Sequence, residues 1–124
     1  MSRKRILLID DEDDIREVAM LALETAGDYD VVTAAGGRKG IETATKFRPD
    51  LILLDVMMPE LDGPSTFARL QERDETRGIP VVFLTAKVQA ADRRNLAALG
   101  AAGIIAKPFD PMTLGDQVAE LASW

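Results

Sequence analysis

Apolar and polar positions alternate along this chain in blocks, and four of the apolar blocks end on a residue that can do chemistry. Ile6-Leu7-Leu8-Ile9 stops at Asp10-Asp11, and Leu51-Ile52-Leu53-Leu54 stops at Asp55. Val81-Val82-Phe83-Leu84 stops at Thr85, and Ile104-Ile105-Ala106 stops at Lys107. Short unbroken apolar runs read as strands buried on both faces. In an open α/β sheet, ligands bind at the carboxyl ends of such strands. The pattern therefore gathers three carboxylates, a hydroxyl and an ammonium at one end of a sheet.

Helical periodicity fills the spaces between the strands. Ile15, Val18, Ala19, Ala22, Leu23 and Ala26 recur at helical spacing until Gly27, and a strand follows at about Tyr29 to Ala34. Arg38–Phe47 is a weaker helix with Ile41 and Ala44 inward, and Pro49 follows shortly after its end. After Asp55 comes a turn-rich loop, Met58-Pro59-Glu60-Leu61-Asp62-Gly63, then a third helix over about Pro64–Arg73 anchored by Phe67 and Leu70. The alanine-rich stretch from Ala90 to Leu99 makes a fourth helix, closed by Gly100. The fifth has Asp110 as N-cap, Pro111 in the first position and a Phe109–Leu114 staple, with Leu114, Val118 and Leu121 on one face. Five strand–helix units imply an α/β fold with a parallel sheet and helices on both faces. No repeat, low-complexity segment or long linker divides the chain, so residues 1–124 are expected to be one domain.

Composition narrows the function. The 124 residues carry a net charge of −6, which argues against a nucleic-acid or anionic-membrane surface. Arg3, Lys4 and Arg5 form the only basic run, read as the solvated flank of a strand. No stretch approaches the ~20 apolar residues that cross a bilayer, nor does the start resemble a signal peptide. The chain has neither cysteine nor histidine, so thiolate and imidazole chemistry are excluded and any metal must accept oxygen ligands. A cytoplasmic location is expected.

Together, Leu8-Ile9-Asp10-Asp11, Leu54-Asp55-Val56-Met57-Met58-Pro59 with Asp62-Gly63, Leu84-Thr85-Ala86 and Lys107-Pro108-Phe109 resemble the motifs of a response-regulator receiver domain of two-component signalling, of the single-domain chemotaxis type. They stand in the family's order and span the chain. The resemblance implies a flavodoxin-like doubly wound sheet of strand order 2-1-3-4-5 with five helices, an order for which receivers are an established example.

It also implies roles. Asp55 is the phosphoacceptor, a carboxylate made competent by a metal that neutralises the incoming phosphoryl oxygens. Asp11 and Asp55 bind Mg²⁺ directly, Asp10 acts largely through water, and the Met57 backbone carbonyl completes the protein ligands. Three neighbouring acids should also raise the pocket's affinity for protons. Asp13 and Asp14 are better explained as first-turn acids that complement the helix dipole. Lys107 offers the phosphoryl group a positive charge, against the plainer alternative of a snorkelling surface lysine, and the family implies a cis Lys107–Pro108 bond where trans is the default. Thr85, which alone would read as a strand former, hydrogen-bonds a phosphoryl oxygen and moves inward with it, while Ala86 leaves room and a backbone N–H. Met57 and Lys87 occupy the family's rate-tuning positions.

The partner implied is a histidine kinase or histidine phosphotransfer protein, which must supply the histidine this chain lacks. Output passes to a downstream effector protein through the surface of the fourth helix, fifth strand and fifth helix, as a population shift. Many receivers carry Tyr or Phe three residues before the lysine, and Ile104 departs from that pattern, which puts an aromatic swing coupled to Thr85 in doubt. The chain is expected to stand alone as a monomer or weak dimer that signals by docking, and not to act as an enzyme beyond its own phosphorylation and dephosphorylation. Trp124 is either a docking anchor or packed on the protein, and Arg93 and Arg94 are read as a solvated face.

Two other classes compete. A small Mg²⁺-dependent phosphohydrolase resembling the haloacid dehalogenase family would use Asp10 as nucleophile with Glu12 two residues on, though the chain is short for it. An unphosphorylated binding scaffold on the same fold is the second. It leaves the joint presence of Asp10, Asp11, Asp55, Thr85 and Lys107 unexplained.

Overall fold

The computed structural model describes residues 3–27, 29–86 and 89–124. Its elements are β1 (Lys4–Ile9), α1 (Asp13–Ala26), β2 (Tyr29–Ala34), α2 (Gly37–Phe47), β3 (Leu51–Asp55), α3 (Gly63–Gln71), α4 (Asp74–Arg77), β4 (Val81–Thr85), α5 (Ala90–Ala98), β5 (Gly103–Ala106) and α6 (Leu114–Leu121). All strand pairs are parallel, in the order β2-β1-β3-β4-β5. This is the expected topology.

The period of two along the strands sorts the core into two layers. Leu7, Ile9, Ile52, Leu54, Val81 and Phe83 face the side that also holds Ile41, Ala44, Phe67, Leu70 and Leu96, residues of α2, α3 and α5. Ile6, Leu8, Leu51, Leu53, Val82, Leu84 and Ile105 face the other side, with Ala19 and Leu23 of α1 and Leu114 and Val118 of α6. Every residue of β3 and of β4 is buried, so the sheet's centre is fixed on both faces and its carboxyl ends are held in place.

The described residues form six helices where five were expected. The addition is the single turn α4, whose buried Thr76 donates its hydroxyl to the Leu70 carbonyl at 2.6 Å. Four residues are too few to produce a helical period, and the sequence pattern shows none beyond the third helix, expected over about Pro64–Arg73. α6 also begins later than Asp110 and Pro111 suggested. Asp110 Oδ1 accepts the Met112 N–H at 2.9 Å, and its carbonyl accepts the N–H groups of Thr113 and Leu114. The capped turn therefore precedes the regular helix, whose N-cap Thr113 makes no side-chain cap bond. The staple pair still meets the same apolar layer: Leu114 is buried there and Phe109 packs against it. Gly100 closes α5 at a φ of 100°. Trp124 packs at the amino ends of the strands, its ring 5.8 Å from that of Tyr29 and 5.3 Å from Lys4 Nζ.

Candidate functional site

Asp10 follows β1 directly, and Asp55 is the last residue of β3. Because β1 and β3 are adjacent and parallel, both carboxylates arrive at the same end of the sheet. One oxygen each from Asp10, Asp11, Glu12 and Asp55 falls within 4.8 Å of the others. Asp10 is 0% exposed and Asp55 3%, while Asp11 and Glu12 lie nearer solvent.

Lys107, just beyond β5, reaches into this cluster. Its Nζ donates to Asp10 Oδ2 at 2.7 Å and to Asp55 Oδ1 at 3.1 Å, and lies 3.8 Å from Glu12 Oε1. The lysine's own N–H donates to the Thr85 carbonyl at 2.9 Å, and the Lys107–Pro108 peptide is cis. The snorkelling alternative is thereby set aside, since the Lys107 side chain is only 12% exposed.

The backbone around the acids is equally constrained. Asp10 N–H donates to Ala34, its Oδ1 accepts the Glu12 N–H, and Arg16 Nη1 donates to its carbonyl at 2.8 Å. Arg16 also pairs with Asp13, which with Asp14 occupies the first turn of α1 as the dipole favours. After Asp55, the Val56 N–H donates to Leu84, and the Gly63 N–H returns to Val56 at 2.8 Å. A Cβ on Gly63 would stand 2.4 Å from the Asp55 carbonyl oxygen and 2.8 Å from Val56 Cα. Only glycine lets the β3–α3 loop close this tightly against the acceptor strand. Asp62 then caps α3 by accepting the Ser65 N–H at 2.8 Å.

Burial sets the electrostatics. Loss of water pushes the Asp55 carboxyl up to about 6; hydrogen bonding to Lys107 opposes this, and the Asp10 charge adds to it. The expected proton affinity is present, with burial rather than mutual repulsion as its main source. Burial alone would lower Lys107. Its hydrogen bonds to Asp10 and Asp55, and their charges, outweigh that and hold its pKa above the ordinary lysine value. The ammonium is therefore charged across the neutral range.

Thr85 is buried at the end of β4, in register with Ala106 and thus beside the strand that carries Lys107. Ala86 follows it, exposed. Met57 sits two residues past Asp55 with its side chain exposed. Ile104 lies away from the pocket, in the middle of β5, packed into the layer of Phe83 and Leu96. Lys87 lies outside the described residues. Glu12 is the member of the cluster that the sequence reading left out of the metal set; the unbroken acid run Asp10-Asp11-Glu12 was its signal.

Four carboxylates and no softer donor suit a hard divalent cation, and the open side of the cluster leaves room for water and a phosphate oxygen. The donor set thus fits Mg²⁺.

The family model for the response regulator receiver domain matches residues 6–119. The DNA-binding dual master transcriptional regulator RpaA of Synechocystis is 43% identical over 86% of this chain and 44% of its own length. The chain spans about half the length of the curated relatives it matches. Among solved structures, the chemotaxis protein CheY4 of Vibrio cholerae matches with a TM-score of 0.89 and 32% identity, over 97% of this chain and 99% of that one. The receiver domain of the sensor histidine kinase PA1611 of Pseudomonas aeruginosa matches with a TM-score of 0.86 and 29% identity, over 99% of this chain and all of that one. That structure holds a magnesium ion in its active-site cleft. None of the described helices here is long and apolar enough to cross a membrane.

Proposed function

The chain belongs to the response regulator receiver domain family of two-component signalling, and on that premise we propose that it is a phosphoryl switch with Asp55 as the acceptor. The observation that carries this reading is the single lysine donating to both Asp10 and Asp55 inside a four-carboxylate cluster. A phosphorylatable acid needs a fixed cation beside it and an all-oxygen site for a metal in front of it.

A partner's phosphohistidine is the donor. An Asp55 carboxylate oxygen attacks phosphorus; the P–O bond forms as the P–N bond breaks, and the electron pair leaves with the imidazole, which takes a proton. Such transfers depend almost wholly on positioning and charge stabilisation. Asp11, Asp55 and the Met57 carbonyl, with Asp10 largely through water, would hold Mg²⁺, which would supply charge neutralisation of the phosphoryl oxygens. Lys107 already sits on Asp55 and keeps its charge for the product. Thr85 donates its hydroxyl to the phosphoryl group, and the Ala86 N–H supplies a further donor. Water later attacks phosphorus, the acyl P–O bond breaks, inorganic phosphate leaves, and the Asp55 carboxylate returns. Met57 and Lys87 govern that water's approach.

Thr85 follows the phosphoryl group inward and biases α5, β5 and α6, which pass the signal to an effector protein. With Ile104 filling its place in β5, the bias travels through packing rather than an aromatic swing. RpaA is named as a DNA-binding regulator; for this chain, a net charge of −6 favours protein contact over nucleic acid. Residues 1–124 act as one receiver unit in the cytoplasm, monomeric or weakly dimeric.

Incubation with acetyl phosphate and Mg²⁺, read by intact-protein mass, should add one phosphoryl group to the wild type and none to Asp55→Asn. Equal addition to both would refute Asp55 as acceptor. Sustained turnover of p-nitrophenyl phosphate would favour the hydrolase reading instead.

A further inference from the structure

A groove of about 760 Å³ runs between α2 and the α3–α4 corner. Arg38 and Lys46 line it from α2, and Arg69 and Arg73 from α3 and the corner. The α2 residues stand at i, i+3, i+4, i+7 and i+8 (Arg38, Ile41, Glu42, Thr45, Lys46), which is one helical face. Two acids also border it, Glu42 and Glu72, leaving a local charge of +2 from four cations and two anions on a chain of −6 overall.

These charges are not used up by one another. Glu42 is engaged by Lys46 at 3.3 Å and by Lys39 at 3.8 Å. Arg38, Arg69 and Arg73 make no ion pair and no side-chain hydrogen bond among the described residues. Three exposed guanidinium groups line one hollow without a carboxylate partner among the described residues, which leaves their N–H donors available to an anion.

We propose that this groove binds a small polyphosphate-bearing anion, at a site separate from the Asp55 pocket. Guanidinium forks match phosphate oxygens in pairs, and the volume lies in the range of small-ligand sites rather than protein interfaces. A protein partner would need a central apolar anchor, and the buried Ile41 is the groove's only large apolar side chain. No aromatic ring lines it to stack a nucleobase. The phosphate chain is therefore the recognised group, and any attached nucleoside points to solvent.

The test is calorimetric titration with inorganic tripolyphosphate in EDTA and about 150 mM salt, an ionic strength that screens diffuse attraction, with amide shifts mapped by NMR. Binding should be saturable, with one ligand per chain, and should shift amides of residues 38–46 and 69–73. A nucleoside triphosphate should bind with the same affinity. The triple variant R38Q/R69Q/R73Q should lose at least about tenfold in affinity, as loss of even one charge-assisted contact implies. Glu72→Gln, which removes the unpaired acid, should tighten binding several-fold. Asp55→Asn should bind unchanged, so the result is independent of the acceptor assignment. No saturable binding, shifts scattered over other basic residues, an unaffected triple variant, or an acidic peptide binding where tripolyphosphate does not would each overturn the proposal.

Discussion

Helices α5 and α6 flank the same edge strand from opposite faces of the sheet, yet they are held very differently. α6 buries Leu114, Gly115 and Val118 in eight residues and is tied further by the Tyr29 hydroxyl, which donates to the Gly115 carbonyl at 3.2 Å. α5 buries Leu96 alone in nine. A fully buried Leu or Val is worth roughly 1.5–3 kcal/mol, so α5 is attached by about the energy of one side chain. That is the scale of a typical coupling free energy between sites, about 1–3 kcal/mol. The acid pocket, by contrast, stands on β1 and β3, whose residues Ile6 to Ile9 and Leu51 to Asp55 are all buried. The acid cluster therefore stands on strands buried on both faces, and the weakly buried α5 is the next helix after Thr85.

The contrast would break first at Lys107. Lys107→Met leaves the buried Asp10 and Asp55 without their ammonium, and loss of one partner of a buried pair costs about 3–5 kcal/mol. Urea unfolding at pH 7 should show that loss; a change within about 0.5 kcal/mol, the size of an ordinary surface substitution, would mean the pocket is not electrostatically tense.

Paired truncations sharpen the comparison of the two helices. Leu114→Ala in α6 should cost about 3–4 kcal/mol, and Leu96→Ala in α5 nearer 2 kcal/mol, since α5 can settle into the space left behind. Equal losses in denaturant midpoints at constant m would show that α5 is as firmly packed as α6.

A third effect has the opposite sign and depends on pH. Asp55 titrates at about 6 in the folded protein against an ordinary 3.8. Between those values the native state binds more protons, so stability falls as pH rises. Above pH 6 the ionised carboxylate costs the fold roughly 3 kcal/mol, at 1.36 kcal/mol per unit. Asp55→Asn should accordingly be the more stable protein at pH 7.5 in EDTA, by up to that amount, and should lose the advantage as the pH approaches 4. A gain that persists undiminished at pH 4 would contradict burial as its cause.

Much of this was legible in the sequence because the central strands carry unbroken apolar runs, Ile6–Ile9, Leu51–Leu54 and Val81–Leu84. Runs such as Leu51 to Leu54 admit no other placement between helical segments, and their polar ends fall together once the sheet is parallel. What escaped was local or electrostatic. α4 is a single turn held by Thr76 on the Leu70 carbonyl, with no period to betray it. The start of α6 moved from Pro111 to Leu114 because Asp110 spends its cap on a separate turn. Glu12 belongs to the cluster because the chain after β1 keeps its carboxylate near Lys107. The dominance of burial in raising Asp55 comes from how deeply its carboxyl sits in the folded chain, which residue spacing does not encode.

The most direct test of the account is amide hydrogen exchange with and without beryllofluoride and Mg²⁺, an acyl-phosphate mimic at Asp55. In the free protein, α5 should exchange well ahead of α6, and the mimic should change protection most in α5 and β5. Protection that changes only around residues 10–12 and 55–57, or equally in α5 and α6, would contradict a rigid pocket coupled to a loosely held helix.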